Sequence, residues 1–270
     1  MAAGSRKQRD LRQWLMSARR THQLDLIINL TRRNFFLQFR GSLLGLLWAL
    51  LLPVIQLMVF AFLFQRVVPL GIDNYPLFAF TALLPWNWFN ISILSSGNLF
   101  MVHRDLVRRP NFRPSTLVLV AALTNLLTYL VALPIVFILI AISGRPITWT
   151  VLLLPIIMLI QGTLIVGLSL FIATWNVFYR DVQHITGVAV MLLFYLTPVF
   201  YSLERVGRQY RIAFTLNPMA VLVQSYRAIL YEGTVPDWKG LLVASTVAVA
   251  ALGIGYLSYR REIHEVYDFL

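Results

Sequence analysis

The stretch "LLGLLWALLLPVIQLMVFAFLF", Leu43 to Phe64, runs for 22 residues without an Asp, Glu, Lys or Arg. A helix rises about 1.5 Å per residue, so a run of this length covers the hydrocarbon core of a bilayer, about 30 Å thick. Inside that core only a helix or a closed barrel satisfies its own backbone. Five more charge-free stretches follow: Leu77 to Val102, Ser115 to Ser143, Ile147 to Tyr179, Ile185 to Tyr201 and Gly240 to Tyr259, the fifth at the short limit. The chain therefore reads as an all-α integral membrane protein with six transmembrane helices.

Composition agrees: of 270 residues 59% are hydrophobic and only 13% charged. The formal charge of +12, from 23 Lys and Arg against 11 Asp and Glu, points to anionic lipid rather than to nucleic acid. With no cysteine there is no disulfide framework, thiolate metal site or cysteine nucleophile. The basic N-terminus lacks the apolar core of a secretory signal and is expected to be retained on the cytoplasmic side.

Just before the first span stands "RRNFFLQFRGSLLGLLW", residues 32–48, with Arg32, Arg33 and Arg40 pressed against the apolar wall. On a helical wheel of about 100° per residue, His22, Asp25, Asn29, Arg32, Arg33 and Arg40 share one sector, with Phe36 intruding. The other faces carry Leu24, Ile27, Ile28, Leu30, Phe35, Leu37 and Phe39. That pattern predicts an N-terminal amphipathic interface helix, and Gly41 and Ser42 let the chain turn into the span. Two readings of the arginines stand side by side. They set topology and grip anionic lipid, or their planar forks form a phosphate site at the mouth of a lipid-facing cavity.

Sixteen of the 23 cations flank the spans on the side of the N-terminus, against seven opposite: Arg66, Arg145, Arg205, Arg208, Arg211, Arg227 and Lys239. The positive-inside rule then places both termini in the cytoplasm of a multi-pass protein. Between the fifth and sixth spans, the uncharged part of 202–239, "IAFTLNPMAVLVQSY", has 15 residues and is broken by Asn217 and Pro218, too few to cross. Re-entrant helices around that turn are expected there. The expected layout is 1–42 for the cytoplasmic N-terminus and interface helix, 43–260 for the transmembrane domain and 261–270 for a solvated cytoplasmic tail.

Energy-coupling chemistry is missing. A phosphate-cradling G-x-x-x-x-G-K-[ST] loop needs a lysine after glycine, but Lys7 follows Arg6 and Lys239 follows Trp238, so the chain is no P-loop ATPase. A proton- or ion-coupled carrier usually keeps an ionisable group within a span, and only His184 comes near one. The acids are scattered, and the cluster Glu262, His264, Glu265 and Asp268 sits at the chain end, so no metal or acid–base site presents itself.

Four motifs in order, "RGSLLGLLWALLLP" (Arg40 to Pro53), "FYRDVQHI" (Phe178 to Ile185), "LTPVFYS" (Leu196 to Ser202) and "LNPMAVLVQSYRAILYEG" (Leu216 to Gly233), resemble the membrane subunits of polysaccharide ABC exporters. These are the ABC-2 permeases for O antigen, capsule and teichoic acid, which act in the bacterial cytoplasmic (inner) membrane. The resemblance implies a homodimer with two copies of a separate ATP-binding subunit, which holds the ATP and Mg; this chain carries no cofactor. The cargo it implies is a polysaccharide linked to undecaprenyl diphosphate.

It also implies a coupling helix in the first loop, "HRDLVRRPNFRP" (His103 to Pro114), with His103, Arg104, Asp105, Arg108 and Arg109 as contacts, and a second contact at Tyr179, Arg180 and Asp181. The first loop departs from the family's basic pair and aromatic-Pro step, since Arg108 and Arg109 precede "PNFRP".

Sugars offer C–H faces to aromatic rings and hydroxyls to amides. "LLPWNWFNISILSSGN", Leu83 to Asn98, mixes both kinds of side chain, so Trp86, Trp88, Phe89 and Asn90 are expected to line a conduit with Tyr195, Phe200 and Tyr201 of the fifth span. An interfacial aromatic belt or helix-to-helix hydrogen bonding explains the same residues. The sequence-level conclusion is a polysaccharide export permease and not an enzyme. An ABC-2 exporter of a drug or small lipid, and a membrane glycosyltransferase or phosphatase, are the alternatives.

Overall fold

The computed structural model describes residues 23–110, 112–203, 207, 209, 214 and 216–270, all as helix, turn or loop with no strand among them. Residues 1–22, with six of the expected N-terminal cations and His22, lie outside the described residues, as do Arg205, Arg208, Arg211 and much of the first half of the 202–239 segment.

Helix α1 occupies residues 23–39. Gly41 and Gly45, at φ +79° and +47°, then reverse the chain into α2, Leu47–Phe62, which a π turn carries on through Val67. The next elements are α3 (Tyr75–Ser96), the single-turn α4 (Leu99–Val102) and α5 (Arg104–Val107), and α6 (Ser115–Ile142). After a 3-10 turn at Trp149–Leu153 come α7 (Leu154–Phe178) and α8 (Asp181–Tyr195). After turns within 196–203 come α9 (Pro218–Arg227), a π turn over Ala228–Glu232, and α10 (Trp238–Phe269).

Among the described residues, five helical segments are long and apolar enough to cross a membrane: Leu47–Val67, Tyr75–Ser96, Ser115–Ile142, Trp149–Phe178 and Trp238–Phe269. The expected fifth span differs. Helix α8 starts earlier, at Asp181, and stops at Tyr195. Its 15 residues reach only about 22 Å, and the chain then turns through Leu196 and Thr197 into Pro198, which has no N–H to continue the ladder.

Helix α3 is the hub, packed against α2, α6, α7, α8 and α9. In its apolar window 78% of residues are buried, against 17% for Leu47–Val67, yet it has the lowest mean hydropathy of the five. A helix that meets lipid needs an apolar surface all round, whereas one that meets other helices can spend positions on amides and hydroxyls that bond across. Fully buried Gln161 of α7 donates to the Pro85 carbonyl at 2.7 Å, and Asn125 of α6 donates to Ser92 Oγ at 3.1 Å.

Helices α7 and α10 make the closest approach. A Cβ on Gly167 would strike the Leu252 backbone, and one on Gly255 would strike the Gly167 carbonyl oxygen. Only glycine fits at that crossing, and Trp175 Nε1 closes the contact by donating to Ser258 Oγ at 2.7 Å.

Residues 261–270 are helical, with Arg261, His264, Glu265 and Asp268 exposed as expected of a solvated tail and the other face packed. Helix α10 continues to Phe269, Val266 is fully buried, and Tyr267 donates its hydroxyl to the Phe112 carbonyl at 3.2 Å while Phe269 meets the Phe178 ring. Tyr259, Ile263, Val266, Tyr267 and Leu270 recur at three- and four-residue spacing, so the helix keeps one apolar face beyond the last span. Arg261 pairs with Glu262 at 3.4 Å on the surface, an exposed contact worth little.

The bundle has two unlike ends. One, here the basic end, gathers α1, α4, α5, the Tyr179–Asp181 turn and the tail of α10. The far end gathers residues 68–74, 143–148, 196–203 and 216–237.

Candidate functional site

At the basic end, the last turns of α1 and the elbow into α2 enclose a recess of about 490 Å³ lined by Arg33, Phe36, Leu37, Phe39, Arg40 and Leu46. Arg33 and Arg40 are seven residues apart, two helical turns, so both guanidiniums reach the same recess. Phe35 is buried and meets the edges of Phe36 and Phe39 at 5.6 and 5.4 Å, which fixes the aromatic floor. The structure thus joins two of the three expected arginines; Arg32 is exposed but does not line the recess. Neither Arg33 nor Arg40 has a carboxylate or carbonyl partner among the described residues. A pair of exposed forks over an apolar floor suits an anion with a hydrocarbon tail.

Beside it, the first loop is built from two single-turn helices. Phe100 and Val107 are fully buried and anchor it, His103 is half-buried, and Arg104, Asp105, Arg108 and Arg109 project outward. Burial, and after it the positive charge of Arg33, hold His103 below its ordinary protonation range, which places α1 within electrostatic reach of this loop. Tyr179, Arg180 and Asp181 are exposed too, with Tyr179 stacked on Trp175 at 6.1 Å.

A joint that sequence reasoning missed connects the two loops. Gln183, in the first turn of α8, donates to the Leu94 carbonyl of α3 at 3.0 Å. Its backbone N–H donates to Asn176 Oδ1 at 3.0 Å, and Asn176 donates to Asn98 Oδ1 at 3.3 Å. Gly97 leaves the notch for Gln183, since a Cβ there would collide with the Gln183 amide oxygen. A turn at residues 97–98 interrupts the helix and ends α3 at Ser96, six residues before the expected boundary at Val102.

Of the residues expected along the conduit, Trp86, Trp88 and Phe89 are only 3%, 3% and 2% exposed and pack in the subunit's own core, with Trp88 also lining two cavities. Trp86 packs on Phe89 and Phe194, and Trp88 Nε1 donates to the Ala122 carbonyl at 3.4 Å. Asn90 is half-exposed and Tyr195 exposed. Phe200 stacks flat on Phe64 at 5.6 Å, and Tyr201 donates to the Tyr195 carbonyl at 3.0 Å.

The far end holds the second feature that the sequence concealed. Arg227, counted above as a loop cation, is 2% exposed. Its Nη2 donates to the Pro198 and Val199 carbonyls at 3.0 Å each, and its guanidinium lies 3.6 Å from the centre of the Phe78 ring. Asn217 donates to the Leu196 carbonyl at 3.2 Å and to Thr197 Oγ1 at 3.1 Å, while its Oδ1 caps α9 by accepting from Met219 and Ala220. Tyr75 ties α3 to the same turn by donating to the Phe200 carbonyl at 3.1 Å. Arg145 donates to the Tyr231 carbonyl and covers its ring, and the Tyr231 hydroxyl reaches the Asp73 carbonyl at 2.6 Å. These bonds tie the turn after α8, α9 and both flanking loops into one body. No carboxylate or histidine cluster able to hold a metal ion occurs among the described residues.

Residues 25–231 match the family described as "ABC-2 type transporter". The chain is 36% identical over 229 residues to the O-antigen export system permease protein RfbA of Myxococcus xanthus, covering 84% of this chain and 88% of that protein. It is 27% identical over 242 residues to the O-antigen export system permease protein RfbA of Klebsiella pneumoniae, covering 87% and 93%. It is 21% identical over 243 residues to the polysialic acid transport protein KpsM of Escherichia coli, covering 84% and 88%.

Proposed function

The chain belongs to the ABC-2 type transporter family, and on that premise we infer that it is the membrane subunit of an exporter that carries a lipid-linked polysaccharide across the bacterial cytoplasmic membrane. Its relatives are named for O-antigen export and polysialic acid transport, which supports a polysaccharide cargo. The carrier is a polyprenyl diphosphate, here undecaprenyl diphosphate, with ATP and Mg bound by a separate subunit. The observation that carries this reading is the recess at the α1–α2 elbow, where Arg33 and Arg40 stand over an aromatic floor beside an apolar helix.

In the working assembly two copies of the chain face each other and two ATP-binding subunits press on the loops at the basic end. Both termini lie in the cytoplasm, which the bias of arginine toward that end supports. Helix α1 lies in the headgroup layer with Leu24, Ile28, Phe36 and Leu37 as its exposed apolar residues. Helix α8 and the turn after it make the fifth of six crossings, and the segment around Asn217 and Pro218 re-enters the membrane and closes the outer mouth. Residues 1–42 form the cytoplasmic and interface part and 43–260 the transmembrane domain.

The diphosphate docks between Arg33 and Arg40 from the inner leaflet. Closure of the ATPase pair then moves His103, Arg104, Asp105, Arg108, Arg109, Tyr179, Arg180 and Asp181 as contacts, and the Gln183 joint passes that motion to α3 and α8. The glycan follows along Asn90, Tyr195, Phe200 and Tyr201.

The test is reconstitution of this chain with its ATPase in proteoliposomes carrying lipid-linked polysaccharide. Glycan should change sides only when ATP and both subunits are present. Translocation by this chain alone, or export that persists without ATP, would contradict the reading.

A further inference from the structure

Next to the basic recess lies a second cavity of about 360 Å³, lined by residues of four helices, and its chemistry is different. Gln38 comes from α1, Trp48 and Gln56 from α2, Asn90 from α3, and Asn125 and Thr128 from α6. The two cavities share a wall. Leu37 and Phe39 line the basic recess while Gln38 between them lines this one, and across the elbow Leu46 lines the first and Trp48 the second.

No charged residue among the described ones lines the second cavity, which sets it apart from the arginine-bordered recess beside it. It is also poorly suited to an acyl chain, because amides converge at a depth where Asn125 stands ten residues inside α6, about 15 Å from the helix start. Each amide offers both a donor and an acceptor, and leaving them unmet in hydrocarbon is costly.

Part of that capacity is used within the protein. Asn87 donates to Gln56 Oε1 at 3.2 Å, Asn125 donates to Ser92, and Thr128 bonds back to Thr124 within α6. Interhelical bonding accounts for those side chains. It does not account for Asn90 or Gln38, which make no hydrogen bond among the described residues although both line the cavity. Two unengaged amides, with Trp48 42% exposed beside them, are what a neutral hydroxyl-rich ring needs. The amides meet its hydroxyls and the indole meets its C–H face.

The geometry points to a sugar subsite: with the diphosphate at Arg33 and Arg40, the first neutral sugar attached to it sits in the adjoining cavity, read by Gln38 and Asn90. This rests on the diphosphate reading given under Proposed function and extends it to the chemistry of the cargo's first residue. Selection would then act on the reducing-end sugar before the long glycan enters the passage.

The experiment uses the full chain in phosphatidylcholine nanodiscs and two probes, a polyprenyl diphosphate and the same lipid bearing one neutral hexose. The sugar-bearing probe should bind about tenfold tighter, the return from one to two added hydrogen bonds. Asn90→Leu should abolish that advantage while affinity for the bare diphosphate stays unchanged, and Gln38→Leu should reduce it. Because neither amide bonds to another described residue, both variants should keep their fold, read as an unchanged thermal unfolding midpoint. Equal affinity for the two probes in the wild-type chain, as expected if a membrane lipid headgroup fills the cavity, overturns the subsite and leaves the diphosphate reading intact. An advantage that survives both substitutions overturns it as well. Failure of the wild-type chain to bind either probe overturns the diphosphate reading and the subsite together.

Discussion

Arg33 and Arg227 are the same residue type under opposite conditions. At the basic end Arg33 and Arg40 are exposed, border an open recess and touch no acceptor among the described residues. At the far end Arg227 is sealed in the core, held by two carbonyls at the end of α8 and by the face of Phe78. At Arg227 the chain supplies acceptors to Nη2 alone, leaving Nε and Nη1 without one among the described residues; sealed in this way the guanidinium holds structure together, whereas an exposed one beside an open recess is available to a ligand. The contrast also separates the two ends of the bundle, a far end bonded into one body and a basic end with its cations outward.

The sharpest way to break this comparison is to remove Arg227. Arg227→Met strands the Pro198 and Val199 carbonyls inside the protein and should lower stability by about 3 kcal/mol, read as thermal unfolding in detergent micelles. Arg33→Met should stay within about 0.5 kcal/mol of wild type in the same assay. Similar losses at both positions would erase the distinction.

A smaller effect is expected from Asn217, which caps α9 and holds the turn after α8. Asn217→Ala should cost about 1 to 2 kcal/mol, and normal stability in that variant would mean that the turn holds itself.

At the basic end the Gln183 joint offers a test of coupling rather than of folding. Gly97→Ala and Gln183→Ala should each cost about 1 kcal/mol and lower export while the assembled complex still hydrolyses ATP. Because both disturb one contact, the double variant should be little worse than the worse single one. Additive losses would show that Gly97 and Gln183 act separately.

The smallest effect is electrostatic. His103 is held below its ordinary value of 6.5 by burial first and Arg33 second, so the folded chain binds that proton less readily than the unfolded one. Its contribution to stability is therefore whole above pH 6.5 and is lost as the pH falls below it. Arg33→Gln should move the NMR titration of His103 upward, and an unmoved titration would place Arg33 out of electrostatic reach.

Much of this was legible in the sequence because lipid is a strict solvent. Charge-free runs of about 20 residues have few other fates, so the long crossings could be read directly. The wheel over residues 23–39 was readable as a helix, and the Asn217-Pro218 break coincides with the start of the ten-residue α9. Burial against other helices leaves a weaker trace. Trp86, Trp88 and Phe89 have the composition of a sugar path and also of a packed core, and their burial among α3, α6 and α8 is not written in the sequence. Arg227 looked like a loop cation because its partners are backbone carbonyls, which sequence does not display. The continuation of α10 was readable after all, since Tyr259, Ile263, Val266, Tyr267 and Leu270 keep helical spacing through a charged stretch.

The central claim is that the unengaged arginines at the α1–α2 elbow receive the diphosphate of the cargo. It is tested most directly by replacing Arg33 and Arg40 together with alanine and measuring export of lipid-linked polysaccharide by the assembled complex in proteoliposomes. The account predicts that export stops while the complex with the ATPase still forms and the chain remains folded. Export at the wild-type rate from that double variant would contradict it.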